Sequence, residues 1–541
     1  TTAAPAFCIV LIFGTCYLFY NLNASYFQDD WIVQSIFNMP LSILMYAILF
    51  LVLGFFLYAF LYGALASLVS RMEELSSAVM PVTFLFIIAF LVVVYSMNSG
   101  NVDSVLMKAC SFIPFTSPMS MFVRIAMGQV AGWEIALSVL ILVVSTIAIG
   151  FLAVILTGSF FLMIPVCVKP GVRLHYVDAL FTSTSAVCVT GLIAVDTADT
   201  YTTLGQTVVA LLIQIGGLGV TSVGVGVILA LGKRVNLKER LLVKEALNLD
   251  SGRGIVCLVR NVLITTLCFE GVGAVLSFLV FSRDYPPLKA VGISLFHSVA
   301  AFNNSGFDIL GGLKNLTGYQ DNVLLNLTTA GLIIFGGLGF LVIMDLIKNR
   351  SFKKLCLHSK AVIVTTLILL ASGTILIWLT EDITWLGAFF TSVSVLMFIG
   401  ASPGSTGGGI KTSTLFTLFH TIKGAACNEE PHAFHYRIPQ EAFYKAAIVT
   451  ALSALVVCLG TFFMCILEPG IPFEDILFEI TSAFGTVGLS TGITPGLSSL
   501  SKLLEVLVMY IGRLGPLTIV TIWVFKPTKY VSYAEGSISI G

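Results

Sequence analysis

FTSTSAVCVTGL (residues 181–192), FHSVAAFNNSGF (296–307) and FEITSAFGTVGL (478–489) are one pattern written three times. In each, a phenylalanine precedes a glycine by ten residues: Phe181 and Gly191, Phe296 and Gly306, Phe478 and Gly488. Each stretch is rich in Ser, Thr or Asn and ends in glycine plus a bulky apolar residue. Farther on, inside the next apolar run, each has a second signature: IGGLG (215–219), FGGLG (335–339) and IGRLG (511–515). The order is span, short polar re-entrant loop, span. Non-helical backbone at membrane depth survives only where it lines a cavity. Several such loops converging can replace the water around an ion with carbonyl oxygens, and glycine permits the turn that aims them. The competing explanation is glycine at close helix–helix contacts; for the mid-span sets both explanations stand.

Composition sets the class. The chain has 541 residues, 57% hydrophobic and 10% charged, against about 25% charged in soluble domains, and its mean hydropathy is +1.00. These values predict a multi-span membrane protein. Formal net charge is zero, which gives no footing for a nucleic-acid partner. The eleven cysteines form no CxxC pair and are expected to be apolar filler. The first twenty residues lack a basic start and an initiator Met, so no secretory signal is expected and the N-terminus looks like a cut end.

Apolar runs long enough for a ~30 Å hydrocarbon layer fall near 6–20, 41–66, 80–97, 133–168, 204–231, 258–281, 322–347, 361–379, 444–467 and 502–525. Residues 135–168 carry no charge, about 51 Å of helix, with no polar loop to divide them. KRVNLKER (233–240), KNRSFKK (348–354) and KPTK (526–529) each follow a span and mark the cytoplasmic face. The loops around 181–203, 296–321 and 478–500 then face outward.

A fourth unit is expected between the second and the last, and FFTSVS (389–394) begins it. Gly400 then matches the mid-span glycines Gly216, Gly336 and Gly512. From loop Phe to that glycine the other units take 35, 40 and 34 residues, whereas Phe389 to Gly400 takes 11. Some 23 to 29 residues are therefore missing by this count, covering the polar loop and half the next span. The following GASPGSTGGGIKT (400–412) is no phosphate loop: Ile410 separates Gly409 from Lys411, whereas a Walker loop needs Gly-Lys-Ser/Thr after a strand. It predicts a break within a span, and so a gate candidate, with Lys411 either under the pore or snorkelling to the cytoplasmic face. His432 and His435 beside Glu429 and Glu430 are expected in a polar cytoplasmic loop rather than at a metal. No catalytic constellation stands out, and no enzyme is expected.

DALFTSTSAVCVTGL (178–192), LIQIGGLG (212–219), AFNNSGFD (301–308), MFIGASPGSTGGGIKT (397–412), SAFGTVGLSTG (482–492) and YIGRLGP (510–516) closely resemble the membrane subunit of Ktr-type potassium uptake systems, in the Trk/Ktr/HKT superfamily. The resemblance runs from about 151 to 541. It implies an all-α multi-span membrane protein with four span–pore loop–span units around one pore, near 151–257, 258–355, 356–430 (truncated) and 438–541. It implies potassium coordination at a filter of Val189, Thr190 and Gly191, of Asn304, Ser305 and Gly306, and of Thr486, Val487 and Gly488. It also implies a gating loop of Gly404, Ser405, Thr406, Gly407, Gly408, Gly409 and Lys411, and an electrostatic barrier at Arg513. It further implies a homodimer on a cytoplasmic nucleotide-binding regulatory subunit, in a prokaryotic cell membrane, with potassium and sodium as transported ions and no bound cofactor. The family's third filter, Arg-Thr-Ala-Gly-Phe, is missing from this sequence. Residues 1–150 differ. YAFLYGALASLVSRMEELSSAVMPV (58–82) and SFIPFTSPMSMFVRIAMGQVAGWE (111–134) resemble the C-terminal membrane part of an ABC-type sodium-efflux permease. Arg71, Glu73 and Glu74 are expected in a solvated loop. The join is expected near GFLAV (150–154), one permease helix passing into the next protein's first helix without a loop. The alternatives are an exporter permease and a non-functional fusion.

Overall fold

The structure, a computed structural model, describes residues 41–67, 75–128, 130–219, 255–395 and 401–515. Outside them lie the span expected at 6–20, the basic runs 233–240 and 526–529, Arg71, Glu73, Glu74 and Gly400. Long apolar runs with few Gly or Pro interruptions form helices α1 (Leu41–Ser67) and α2 (Leu75–Asn98). Two short helices follow, α3 (Val105–Cys110) and α4 (Ser117–Met127), and then α5 (Gly132–Met163). The charge-free run is helical without a break as far as Met163, inside one helix of 32 residues that begins at Gly132.

Next come α6 (Tyr176–Cys188), α7 (Thr203–Leu218), α8 (Ile255–Phe281), α9 (Pro287–Phe302), α10 (Val323–Leu338) and α11 (Phe340–Asn349). They are followed by α12 (Leu357–Thr380), α13 (Trp385–Val395) and α14 (Thr412–Cys427). A two-residue hairpin, His432–Ala433 with Tyr436–Arg437, precedes α15 (Gln440–Leu467), α16 (Phe473–Gly485) and α17 (Ser499–Leu514). Among the described residues six helices are long and apolar enough to cross a membrane. The span expected over 322–347 is instead two helices, α10 and α11, bent by 96° at Gly339. The polar segments expected as loops are mostly helix: α6, α9 and α16 each run in and end at a short turn.

Ordinary local chemistry fixes the ends of the second spans. The side chains of Thr202, Asn322 and Ser498 accept from the backbone N–H three residues on, satisfying donors that a helix start leaves free. All three helices stop at a glycine of positive φ: Gly219 (82°), Gly339 (86°) and Gly515 (87°). Outward faces such as Leu267, Val272 and Val275 of α8 are apolar and exposed, as a lipid-facing surface requires.

The chain forms two compact units. One runs up to Phe56 and takes Phe84–Leu142; the other takes Leu57–Thr83 and everything from Val143. In the first, the buried Arg124 guanidinium pairs with Asp103 at 3.2 Å and Glu134 at 2.7 Å. Ser117 and Ser138 hydroxyls meet at 2.7 Å beside it in sequence. The second holds the convergent loops. Its core joins Phe181, Val187, Leu212, Ile480, Phe484 and Met509 from α6, α7, α16 and α17.

Candidate functional site

The three motif segments make one backbone turn. Val189, Asn304 and Thr486 are left-handed, with φ of 60°, 60° and 52°, a conformation that costs a non-glycine residue about 1–2 kcal/mol. For β-branched Val and Thr it is an outlier held by its surroundings. The next residue's N–H then reaches back five positions. Thr190 donates to the Ser185 carbonyl at 2.8 Å, Ser305 to Ala300 at 2.9 Å and Val487 to Ser482 at 3.0 Å. The glycines close the turn at φ 86° (Gly191), 69° (Gly306) and 83° (Gly488).

Those turns meet. A Cβ added to Gly488 would land on the Thr190 carbonyl oxygen, and one added to Gly191 would land on the Ser305 carbonyl oxygen. The loops therefore follow one another in the order fourth, first, second, with Gly488 facing the first loop's carbonyl and Gly191 the second's. Gly306 should face a third loop in the same sense. A Cβ there would meet nothing nearer than Gly191 Cα at 3.6 Å. Gly306 is exposed whereas Gly191 is buried. Among the described residues these three loops form a partial ring, open beside Gly306.

The third unit is present up to that point. In the first unit Ser183 donates to the Ile155 carbonyl at 2.6 Å, and in the second Ser298 donates to Glu270 at 2.7 Å. In the third Ser392 donates to Leu370 at 3.2 Å. This bond aligns Phe390, one residue beyond Phe389, with Phe181 and Phe296. Only residues 396–400 separate α13 from the loop that begins at Ala401. Five residues reach at most about 18 Å and cannot hold a counterpart of the 16-residue helices α7, α10 and α17.

Below the turns, Gly404 to Lys411 form an irregular loop tied to every other unit. Thr406 N–H donates to the Gly336 carbonyl at 3.3 Å, and its hydroxyl lies 3.2 Å from the Asn304 amide. Gly408 N–H donates to the Thr486 hydroxyl at 2.7 Å, and Gly409 N–H to the Gly512 carbonyl at 3.4 Å. Gly404 offers its carbonyl to Phe340 N–H at 3.2 Å, two residues from where Ser402 takes the Gly337 carbonyl at 3.0 Å. Gly407 accepts from Lys411 Nζ at 2.6 Å, so this lysine folds back onto its own loop. Ser405 Oγ is buried without a hydrogen-bond partner. The Arg513 guanidinium donates to the carbonyls of Thr406 and Gly216, joining the loop to the fourth and first units.

The mid-span glycines have the plainer role. A Cβ on Gly216, Gly336 or Gly512 would strike the carbonyl of Val187, Phe302 or Phe484. They let each second span lie directly on the last turn of its own re-entrant helix. Some contacts carried no sequence signal. Lys502 Nζ pairs with Asp178 at 2.8 Å, linking α17 to α6 across 324 positions. Asn303 reaches Gln214 at 2.8 Å, linking α9 to α7. The aligned serines did carry one, two residues after Phe181, Phe296 and Phe390, whereas Ile480 holds that place after Phe478. His432 and His435 sit at the hairpin, where Arg437 pairs with Glu430 at 3.1 Å; no metal-holding group of His, Cys, Asp or Glu occurs among the described residues.

Apolar helices with re-entrant turns and a broken span define a multi-pass protein of the cell membrane. The profile of the TrkH family, cation transport proteins, matches residues 119–396 and 382–532, and the chain belongs to this family. The family is one of transporters, not enzymes. Over 432 residues the chain is 36% identical to Ktr system potassium uptake protein B of Bacillus subtilis, covering 73% of this chain and 96% of that protein. It is 36% identical over 442 residues to the potassium/sodium uptake protein NtpJ of Enterococcus hirae, covering 74% and 97%. The crystal structure of the potassium transporter TrkH from Vibrio parahaemolyticus superimposes with a TM-score of 0.53 at 15% identity, over 82% of this chain and 98% of that one. It shares the fold. A second profile, ABC-2 family transporter protein, matches residues 3–155.

Proposed function

We propose that the chain is a potassium-translocating membrane subunit whose filter is the three-quarter ring. The observation that carries this is the repeated turn: left-handed residue, N–H to the fifth carbonyl back, then a glycine facing the next loop's carbonyl. Such a ring offers Thr190 and Ser305 carbonyl oxygens towards its neighbours, the donor type that replaces potassium's water. The names of the relatives, potassium and potassium/sodium uptake proteins, agree with this cargo and with a sodium link. Gly404 to Lys411 would gate the path beneath, and Arg513 would set a positive barrier within it. "Ktr system" names an assembly, in keeping with a homodimer seated on a cytoplasmic nucleotide-binding regulatory subunit. Residues 151–541 would form the transport core and residues 1–150 a fused permease fragment.

A ring short of one loop loses about a quarter of its carbonyl ligands, so uptake is expected to be impaired. Rubidium uptake tests this in cells lacking their own potassium transporters, expressing the chain with a Ktr-type regulatory subunit, beside a version with a third loop restored. Uptake only after restoration supports the reading; none in either would sink it. The second reading, an exporter permease, rests on the ABC-2 match over residues 3–155. Co-purification of a cassette ATPase in place of a nucleotide-binding ring would favour it.

A further inference from the structure

Among the described residues no side chain fills the open quadrant. A cavity of about 570 Å³ is lined by Gly306, Val487 and Gly488 of the second and fourth loops and by Thr384 and Thr391 of the third unit. Ligand pockets run from roughly 300 to 1,000 Å³, so this space exceeds what one bare ion needs. Asn304 stands at the wall shared with a smaller cavity of about 40 Å³ that reaches Gly407. Two carboxylates, Asp321 and Asp382, line the larger cavity, and no Lys or Arg does among the described residues. His297 lies against the Thr329 hydroxyl at 2.9 Å. A cleft with one sign of charge and low-dielectric walls concentrates counter-ions.

We propose that this vacated quadrant is a binding vestibule for monovalent cations that keep their water or carry alkyl groups, reached from the outer face and open along the flank of the ring. A closed ring strips a cation on all sides. Here a cation beside Gly306 and Gly488 is stripped on the ring side and stays solvated on the other. The site therefore takes the class of cation that a complete filter rejects, tetraethylammonium being the simplest probe. The proposal rests on the three-quarter-ring reading above but does not need transport.

The test is thiol labelling of the full chain carrying Thr391→Cys, since Thr391 is exposed to the cavity. A cationic trimethylammonium methanethiosulfonate is expected to react about tenfold faster than its anionic sulfonate counterpart, relative to their rates with a free thiol. Tetraethylammonium should protect, and Asp321→Asn with Asp382→Asn should abolish the charge preference. Restoring the third loop should largely abolish labelling by both reagents, since the loop would occupy the space beside Gly306 that leads to Thr391. Equal rates for both reagents, or no slowing on restoration, would overturn the proposal. Should Thr391→Cys fail to fold, Thr384→Cys on the same wall gives the same readout. Failure of rubidium uptake with labelling intact would count against the transport reading alone.

Discussion

The second and third units begin alike and end differently. Both have a long first span, α8 or α12, and a re-entrant helix hung from it by a serine-to-carbonyl bond. The second unit then makes its turn at Asn304 and returns through α10. The third passes within five residues to the loop at Ala401. Yet at the level of that loop all the units are joined, through Thr406 to the second, Thr486 and Gly512 to the fourth, and Gly216 to the first. Packing of a span and its re-entrant helix thus does not depend on the polar turn. The turn is what completes the ring.

The largest expected effect separates two glycines of the ring. Gly191→Ala puts a methyl onto the Ser305 carbonyl at a φ of 86° and is expected to cost about 3–5 kcal/mol. Gly306→Ala faces the open quadrant, and its cost is the φ penalty of about 1 kcal/mol. Thermal unfolding of the detergent-purified proteins, followed by size-exclusion chromatography, ranks them; equal losses would mean that the second loop is as enclosed as the first.

Thr406→Val comes next. It removes a hydroxyl lying 3.2 Å from the Asn304 amide and 3.4 Å from the Phe302 carbonyl, and about 1–2 kcal/mol should go with it. Hydrogen exchange confined to residues 401–411 and the second turn is the informative readout. Exchange unchanged there would show that the loop is held by its other ties.

Smaller still, Ser298→Ala and Ser392→Ala should each cost about 1 kcal/mol. A loss at Ser298 with none at Ser392 would break the equivalence of the two units' anchors.

The smallest effect lies in the fourth unit. Glu468, just past α15, accepts from the Ser501 hydroxyl at 2.7 Å and Ser498 N–H at 2.8 Å, and these bonds hold its carboxyl below the usual 4.5. A carboxyl depressed in the folded state adds stability above its unfolded pKa, and that stability is lost as pH falls through the folded value. Acid unfolding should thus soften below about pH 4.5, and Glu468→Gln should flatten that limb in a pH series of melting temperatures.

Much of this was legible along the chain because it is local. The thrice-written turn, Phe181 to Gly191, Phe296 to Gly306 and Phe478 to Gly488, is encoded within a dozen residues each time, whereas the helix stops at Gly219, Gly339 and Gly515 fall inside runs that read as single spans. The expectation of a missing third turn rests on a count, 11 residues from Phe389 to Gly400 against 34 to 40 in the other units. The register error, Phe389 for Phe390, came from two adjacent phenylalanines that only the Ser392 bond tells apart. The bend at Gly339 was missed because an apolar run has the same composition whether straight or folded through 96°.

Composition and repeat spacing alone establish a multi-pass membrane protein with three like-patterned segments, Phe181 to Gly191, Phe296 to Gly306 and Phe478 to Gly488. Composition, capping and repeat spacing are properties of neighbouring residues and need no partner. Tertiary structure alone decided the cyclic order of the loops, the packing role of Gly216, Gly336 and Gly512, and the links of Lys502 to Asp178 and Arg513 to Thr406. Those contacts join positions up to 324 residues apart. No local pattern can specify which carbonyl a glycine must clear until both lie on the same axis.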